Sequence, residues 1–482
     1  MSVLTSDALC CCIFGFRCIV EAIGIGAHGY EMPVGDGSKT VTLDVPHRIV
    51  NLRYYADLVN FLQSKGLQFE KEVLQMAYSD TEYGAVLQYR QVKFLGGYWP
   101  SFQLSTIFSS PARYLHLLYD TMFFYRRARS DLAAGKLHNI TLGDYFDHLQ
   151  NERGYTSVLL GSIIMPILAL ALTADFESVR SMPADIPIKY ITSGIFTMRS
   201  NDGGMFRPVG GVPQISAVLS ASFKDVRTDT RISQINKLPN GKLVVTDDKG
   251  ASEEFDHIVL ATQANHALKL VGHIDPIYSS LGQIKHTLTK VVIHTDPIVM
   301  GPYFDPRFSF HLLADRTKGQ AMASVWMNPA IPQLTVDVHQ TTNPIVPLDP
   351  AKILFQHTFE RPLIDMAAAA AIKVIQQVNG TNNIWFIGSY SLYGMPLLEN
   401  GAQSAFKVAE TLSGRQLNIP RRVDRPTLLS RLVSWSILSA SVAASTYFLF
   451  KSPAARANPT IGPIIKYVSN AVTNTWNSIA PK

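Results

Sequence analysis

"EAIGIGAHGYEM", residues 21–32, contains a complete G-x-G-x-x-G in Gly24, Gly26 and Gly29. Such a fingerprint holds a pyrophosphate because its glycines let the backbone approach the phosphates and a helix N-terminus directly behind them supplies positive charge. The helix is therefore part of the motif. Here the chain continues as "YEMPVGDGSKTVTLDV", where Pro33, Gly35, Asp36 and Gly37 forbid a helix. The spacing is read as a chance match, and "TVTLDV" behind it alternates as a strand does.

The 482 residues suffice for two interleaved domains, and 47% hydrophobic with 17% charged residues excludes extended disorder. A net charge of +6, without a compact Lys/Arg run carrying interleaved aromatics, argues against nucleic acid as a partner. The four cysteines, Cys10, Cys11, Cys12 and Cys18, lack zinc-site spacing and suggest no disulfide framework. "ALCCCIFGF" is short for a signal sequence and has no basic residues before it.

Two apolar runs compete as membrane spans. "SVLLGSIIMPILALALTAD" carries Pro166 at its middle and is expected to be a buried helix pair around the proline. Leu432–Phe450 is uncharged over a spanning length and is expected to cross a membrane once. Arg421, Arg422, Arg425 and Arg431 precede it, which places the large N-terminal part in the cytosol. The sequons at Asn139 and Asn379 would matter only in the opposite orientation.

Outward from the opening stretch, "FRCIVEA" is a short strand ending at Glu21, and "YYADLVNFLQSKG" is a helix closed by Gly66. Helical periodicity dominates from Ser110 to about Ala174. Asn240-Gly241 marks a hairpin, "FDHIVLAT" a buried strand, and residues 289–360 supply antiparallel strands. "NIWFIGSYSLYGMPLLENGAQSAFKVAETLSG" is strand, loop, and a helix from about Asn400 to Gly414. The pattern amounts to an α/β protein with an inserted domain.

The stretches "NLRYYADL" (51–58), "VVIHTDPIVM" (291–300), "VWMN" (325–328), "ILFQHTFERPLID" (353–365) and "WFIGSYSLYGMPLLENGAQSAFKVAE" (385–410) together resemble the flavin-containing amine oxidase superfamily, in its bacterial-type FAD/NAD-binding oxidoreductase branch. The likeness runs from about Glu21 to Leu412. It implies a discontinuous FAD-binding Rossmann-like domain (1–66, 203–270 and 381–415) and an inserted α+β substrate domain, mainly helical over 67–202 and a sheet over 271–380. A basic linker (416–431), the transmembrane helix (432–450) and a tail (451–482) complete the expected layout.

By the same resemblance Glu21 would take the adenosine ribose hydroxyls, and Gly26, Ala27 and His28 would match a Gly-Gly-His turn near the phosphates. Ile232 would face the adenine through its backbone, and Gly388 would let its strand end beside the ribityl chain. Glu399, Asn400, Gly401 and Ala402 would open a helix aimed at the pyrimidine edge of the isoalloxazine. Asn51, His294, Trp326, Tyr390 and Tyr393 fall in or near these motifs and are candidates for the substrate face, each with a packing role as the alternative. His311, His339 and His357 are isolated and read as structural. No nucleophile or metal cluster is named.

Two departures stand out. The family's first strand, its G-x-G-x-x-G and its helix are expected before Glu21, yet only twenty residues precede it and they hold no such glycine pattern. Either the start is truncated or mis-spliced, or the chain is a degenerate relative. The second departure is Pro46, where the family has Gly beside the flavin after the Asp matched by Asp44. The expected function is a membrane-anchored, FAD-dependent oxidoreductase acting on an amine or a lipid-like molecule. A catalytically silent scaffold and a desaturase-like flavoenzyme are the alternatives.

Overall fold

The computed structural model describes residues 2–5, 17–19 and 28–419, apart from interruptions of which 194–203 and 301–307 are the longest. The chain forms β1 (Ser2–Thr5) and β2 (Arg17–Ile19), the hairpin of β3 (His28–Val34) and β4 (Lys39–Val45), and helix α1 (Ala56–Ser64). Strands β5 (Phe69–Glu72), β6 (Gln75–Asp80), β7 (Gly84–Phe94) and β8 (Gly97–Phe102) come next. They are followed by helices α2 (Pro111–Ala133), α3 (Leu142–Arg153), α4 (Met165–Leu172), α5 (Phe176–Arg180) and α6 (Asp185–Thr192). Then come β9 (Met205–Pro208), α7 (Gly211–Ser220), β10 (Asp225–Arg227), β11 (Ile232–Lys237), β12 (Leu243–Asp247), β13 (Ser252–Phe255), β14 (Ile258–Ala261) and α8 (Ala264–Val271). The last part holds β15 (Lys285–His294), β16 (Phe310–Asp315), β17 (Gln320–Trp326), β18 (His339–Thr342), β19 (Ile353–Leu363), α9 (Met366–Val378), β20 (Ile384–Phe386) and α10 (Leu398–Ser413).

Two sheets organise the molecule. The first is parallel, in the order β10-β2-β1-β14-β20, so its strands come from both ends of the chain. All four residues of β14 are buried, as expected for a strand covered on both faces. Ile258 and Leu260 pack with Ala264, Ala267, Ile372 and Ile375 of α8 and α9, whereas Val259 and Ala261 pack with α1, α7 and α10. The second sheet runs β19-β15-β18-β17-β16-β6-β7-β8 and is antiparallel except between β16 and β6. The opening stretch meets its expected fate: Gly29 lies inside β3, paired with Asp44 of β4, and no helix follows it.

Three readings change. A first parallel strand is present, because β1 pairs with both β2 and β14 in the middle of the sheet. Residues 69–102 are strands ahead of the helices. The run around Pro166 is not a broken pair: Ser157–Leu159 leads through a π turn, Leu160–Ile164, directly into α4. Pro166 has no N–H to donate. The π turn shifts the hydrogen-bond register just before it, Met165 N–H reaching Leu160 O, so that Pro166 falls in the first turn of α4, where no donor is needed. No helix among the described residues is long and apolar enough to cross a membrane, and residues 432–450 lie outside them.

The π turn also seats the helices on the sheet. A Cβ on Gly161 would stand 2.7 Å from Arg316 Cδ, so any larger residue there would push the Arg316 side chain from its place. Arg316 Nε lies 2.9 Å from Asp80 Oδ2, which also accepts Ser162 Oγ at 2.6 Å, while the amides of Glu82 and Tyr83 bond Oδ1. Asp80 is fully buried. Arg316 keeps Glu82 as a partner, but removing the buried carboxylate leaves Ser162 Oγ and the amides of Glu82 and Tyr83 without their acceptor, so Asp80→Ala is expected to cost about 2–4 kcal/mol in urea unfolding. A loss below about 1 kcal/mol would show that this cluster does not hold the helices to the sheet.

Candidate active site

The C-terminal ends of β14 and β20 open onto a cavity of about 290 Å³ at Ala261 and Gly388. One wall is the eight-stranded sheet, and its register explains which side chains face inward. Tyr89, Met76, Phe310, Val325 and Gln340 are cross-strand neighbours in one row. Tyr78, Leu312, Ala323 and Thr342 form the next row, two residues along. All nine line the cavity. Ile167, Leu170 and Ala171 of α4, at helical spacing, and Tyr55 and Tyr190 close it from other sides.

The remaining wall is the start of α10. Its N-cap, Leu397, is extended and caps nothing with its side chain, and Leu397, Leu398 and Gly401 line the cavity. By helix geometry the amides of Leu398, Glu399 and Asn400 have no acceptor within the helix. The Glu399 side chain is engaged elsewhere: it accepts Asp57 N–H at 2.9 Å and Leu58 N–H at 3.1 Å, capping α1. Burial lifts this carboxyl to about 7, against the pull of those two amides. Asn400 Nδ2 donates to Ser389 O and Leu392 O, holding the loop before the helix. Gly388 has φ +139°, a conformation side-chain-bearing residues rarely adopt, and Gly401 lies in van der Waals range of the 388–389 backbone, where loop and helix meet. Ala402 is fully buried against the parallel sheet.

No known protein-family profile matches the chain, and no curated protein sequence does. Among solved structures it is similar to a fatty acid isomerase producing CLA from P. acnes, with 12% identity, a TM-score of 0.56, and 85% of this chain and 97% of that one covered. It is also similar to cyclohexylamine oxidase from Brevibacterium oxydans IH-35A, with 13% identity, a TM-score of 0.55, and coverage of 86% and 99%. A putrescine oxidase variant redesigned in its cofactor binding gives 12%, 0.55, 86% and 98%. The chain has the fold of these proteins. At such identities the likeness concerns architecture alone.

The site gathers only part of what the sequence nominates. Asn51, Gly388 and Gly401 line the cavity. Asn51 donates to Gly204 O and accepts from the amides of Arg53 and Tyr54, which fixes the turn before α1. His294 and Trp326 do not line it, because the pleat turns them to the reverse face: His294 pairs with His339, and Trp326 stands one residue beyond Val325. His294 Nδ1 accepts Asp296 N–H and its Nε2 bonds Thr341 Oγ1 at 2.8 Å; burial lowers its pKa to about 4. Trp326 Nε1 donates to Asp337. Tyr390 is buried beneath Gly388, and Tyr393 bonds Asp185 at 2.8 Å; neither lines the cavity.

Ile232 begins β11 beside a bulge and packs into the main core, apart from the lining. His28 opens β3 with its Nε2 3.1 Å from His357 Nε2, and burial lowers its pKa. Glu21, Gly26 and Ala27 lie outside the described residues. The wall residues Tyr78, Tyr89, Phe310 and Leu312, and the cations Arg48 and Arg361, are missed by sequence reading. The available signal was period-two alternation in "QMAYSD" and "FHLLAD", which puts Met76 with Tyr78 and Phe310 with Leu312 on one face.

Because the Glu399 carboxyl sits above its ordinary 4.5 in the folded chain, its contribution to stability is full below that pH and is lost as the pH rises through 7. Buried His47, His294, His311 and His339, lowered to about 4, act in the opposite direction. The informative quantity is therefore the difference between wild type and Glu399→Gln. Urea titrations are expected to show the wild type losing about 1–3 kcal/mol relative to the variant between pH 4.5 and 7.5. Parallel pH profiles would place the Glu399 pKa near its solution value.

Proposed function

We propose that the chain is an FAD-dependent oxidoreductase that takes a hydride equivalent from an amine or lipid-like substrate held against the flavin. The observation that carries this is the uncapped N-terminus of α10, facing an apolar cavity at the C-terminal ends of the parallel strands. Ligands of such sheets bind there, and free amides at a helix start favour the negative charge of a reduced pyrimidine ring. The residues described fit that end of the cofactor: Gly388 and Gly401 line the cavity without side chains, and the Leu398, Glu399 and Asn400 amides supply donors. When bound, FAD supplies the hydride acceptor.

What the chain contributes is binding, orientation and the exclusion of water. The sheet rows and α4 make dry walls, while Tyr55, Tyr190 and Asn51 give the cavity its polar points. Glu21, Gly26, Ala27 and His28 are assigned to the adenosine and phosphate end, with Ile232 near the adenine. In this proposal residues 432–450 anchor the protein in a membrane by one span, with the catalytic part in the cytosol. A silent scaffold is the second reading, favoured by one observation. Residues 6–16, which connect β1 to β2, contain a single glycine, Gly15, where a pyrophosphate loop needs several.

The full chain, purified and denatured to release flavin, is expected to yield close to one FAD per protein. Gly401→Leu, which adds a side chain to the cavity lining, should lower that occupancy at least tenfold while leaving the melting transition cooperative. A folded but colourless wild type would favour the scaffold.

A further inference from the structure

Helix α2 reverses the usual distribution of its side chains. Its buried positions, Leu117, Asp120, Phe124, Ala128 and Asp131, fall on one face at helical spacing and include both acids of the helix. Across the axis lie Leu115, Tyr119, Met122, Phe123, Arg126 and Arg129. Tyr119 is 42% exposed and Met122 55%, while Leu115 and Phe123 are half-buried beside them; the Tyr119 and Phe123 ring centroids stand 4.3 Å apart. Exposed Phe102 of β8 extends the apolar surface at the first turn, where its ring meets Tyr114 at 6.1 Å. A single exposed apolar side chain would need no explanation, whereas a run of them along one helix face does.

The charges along this face have one sign. Arg126 and Arg129 are exposed and continue the stripe toward the C-terminal end of α2. Arg129 acts electrostatically on Tyr125, and neither arginine makes a hydrogen bond or ion pair among the described residues. The neighbouring acids are engaged by other cations: Arg127 holds Asp131 and Glu152, Lys136 also reaches Asp131, and His148 reaches Glu152. Arg113 is turned aside, over the Tyr83 ring. A protein partner covering this stripe would need apolar side chains and two acids in register with it. A bilayer with anionic headgroups supplies both without any register. Met122 and Phe123 can enter the boundary between headgroups and acyl chains, Tyr119 can keep its hydroxyl among the headgroups, and long arginine stems carry their charge to phosphate and carboxylate groups. We infer that α2 lies on an anionic membrane surface, with Leu115, Tyr119, Met122 and Phe123 as the apolar contact and Arg126 and Arg129 as the charged one. This surface belongs to the folded part of the chain, and the inference rests neither on the span proposed at 432–450 nor on the flavin.

The test places the full chain on nanodiscs of phosphatidylcholine alone or with about 30% phosphatidylserine, and reads side-chain exposure by hydroxyl-radical oxidation at Met122 and Tyr119. Leu288, 68% exposed on β15 toward the other edge of the eight-stranded sheet from β8, is the control. Both kinds of disc carry the same anchor or none, so the difference between them reports the charged contact. Oxidation of Met122 is expected to be at least fivefold lower on the anionic discs than on the neutral ones, with Leu288 unchanged. Arg126→Glu with Arg129→Glu should bring that ratio below twofold, and so should salt at about 0.5 M, which screens the headgroup charge. Should the double variant fail to fold, the salt series on the wild type still decides. Equal oxidation of Met122 on the two lipids overturns the inference, whether it is high, which leaves the face to solvent, or low, which means that its cover does not depend on anionic lipid.

Discussion

The strict alternation of side chains across the eight-stranded sheet is the constraint from which the rest of the site follows. Strands in register present two surfaces, and a slip of one residue exchanges them. Here one surface carries Tyr89, Met76, Phe310, Val325 and Gln340 toward the cavity. The other carries His294, Thr341 and Ser324 in a chain of hydrogen bonds, with His311 bonded to Ser79 beside it. A buried histidine costs least where its nitrogens are satisfied. The reverse face provides those partners for His294 and His311.

The parallel sheet and α10 set the opposite wall, and the two walls are tied by groups whose own charges are spent on the framework. Glu399 joins the start of α10 to the start of α1, and Asp44 joins β4 to the start of α7. In each case a carboxylate meets free helix amides, a favourable pairing. Both acids belong to motifs that would suggest chemistry. Their geometry makes them caps that tie the two walls together.

Legibility in the sequence follows from how local each signal is. The hairpin at Asn240-Gly241, the helix before Gly66 and the final strand-loop-helix are encoded within a few residues, and each forms where read. β1 is four residues, "SVLT", without flanking punctuation, and becomes a central strand only through partners more than 250 positions away. Gly388, Gly401 and Asn51 could be nominated because close backbone approach and turn capping demand particular residue types. The cavity walls could not, since Leu312 or Val325 is the same residue type in a wall or in a core until register assigns its face. His294 and Trp326 drew attention because they are scarce and chemically versatile, and parity placed them behind the sheet.

Pro46 shows how a departure from a family pattern can be absorbed. The resemblance places glycine there, implying that the backbone must yield to something beside it. In this chain the loop is instead held from the sheet: Gln340 Nε2 donates to Asp44 O, and its Oε1 accepts His47 N–H, bracketing Pro46 on both sides. Gln340 belongs to the same row as Phe310 and Val325, so the sheet register that defines the apolar wall also positions Pro46 and Arg48 at the cavity's edge. A rigid residue suffices where hydrogen bonds from a neighbouring element already fix the turn.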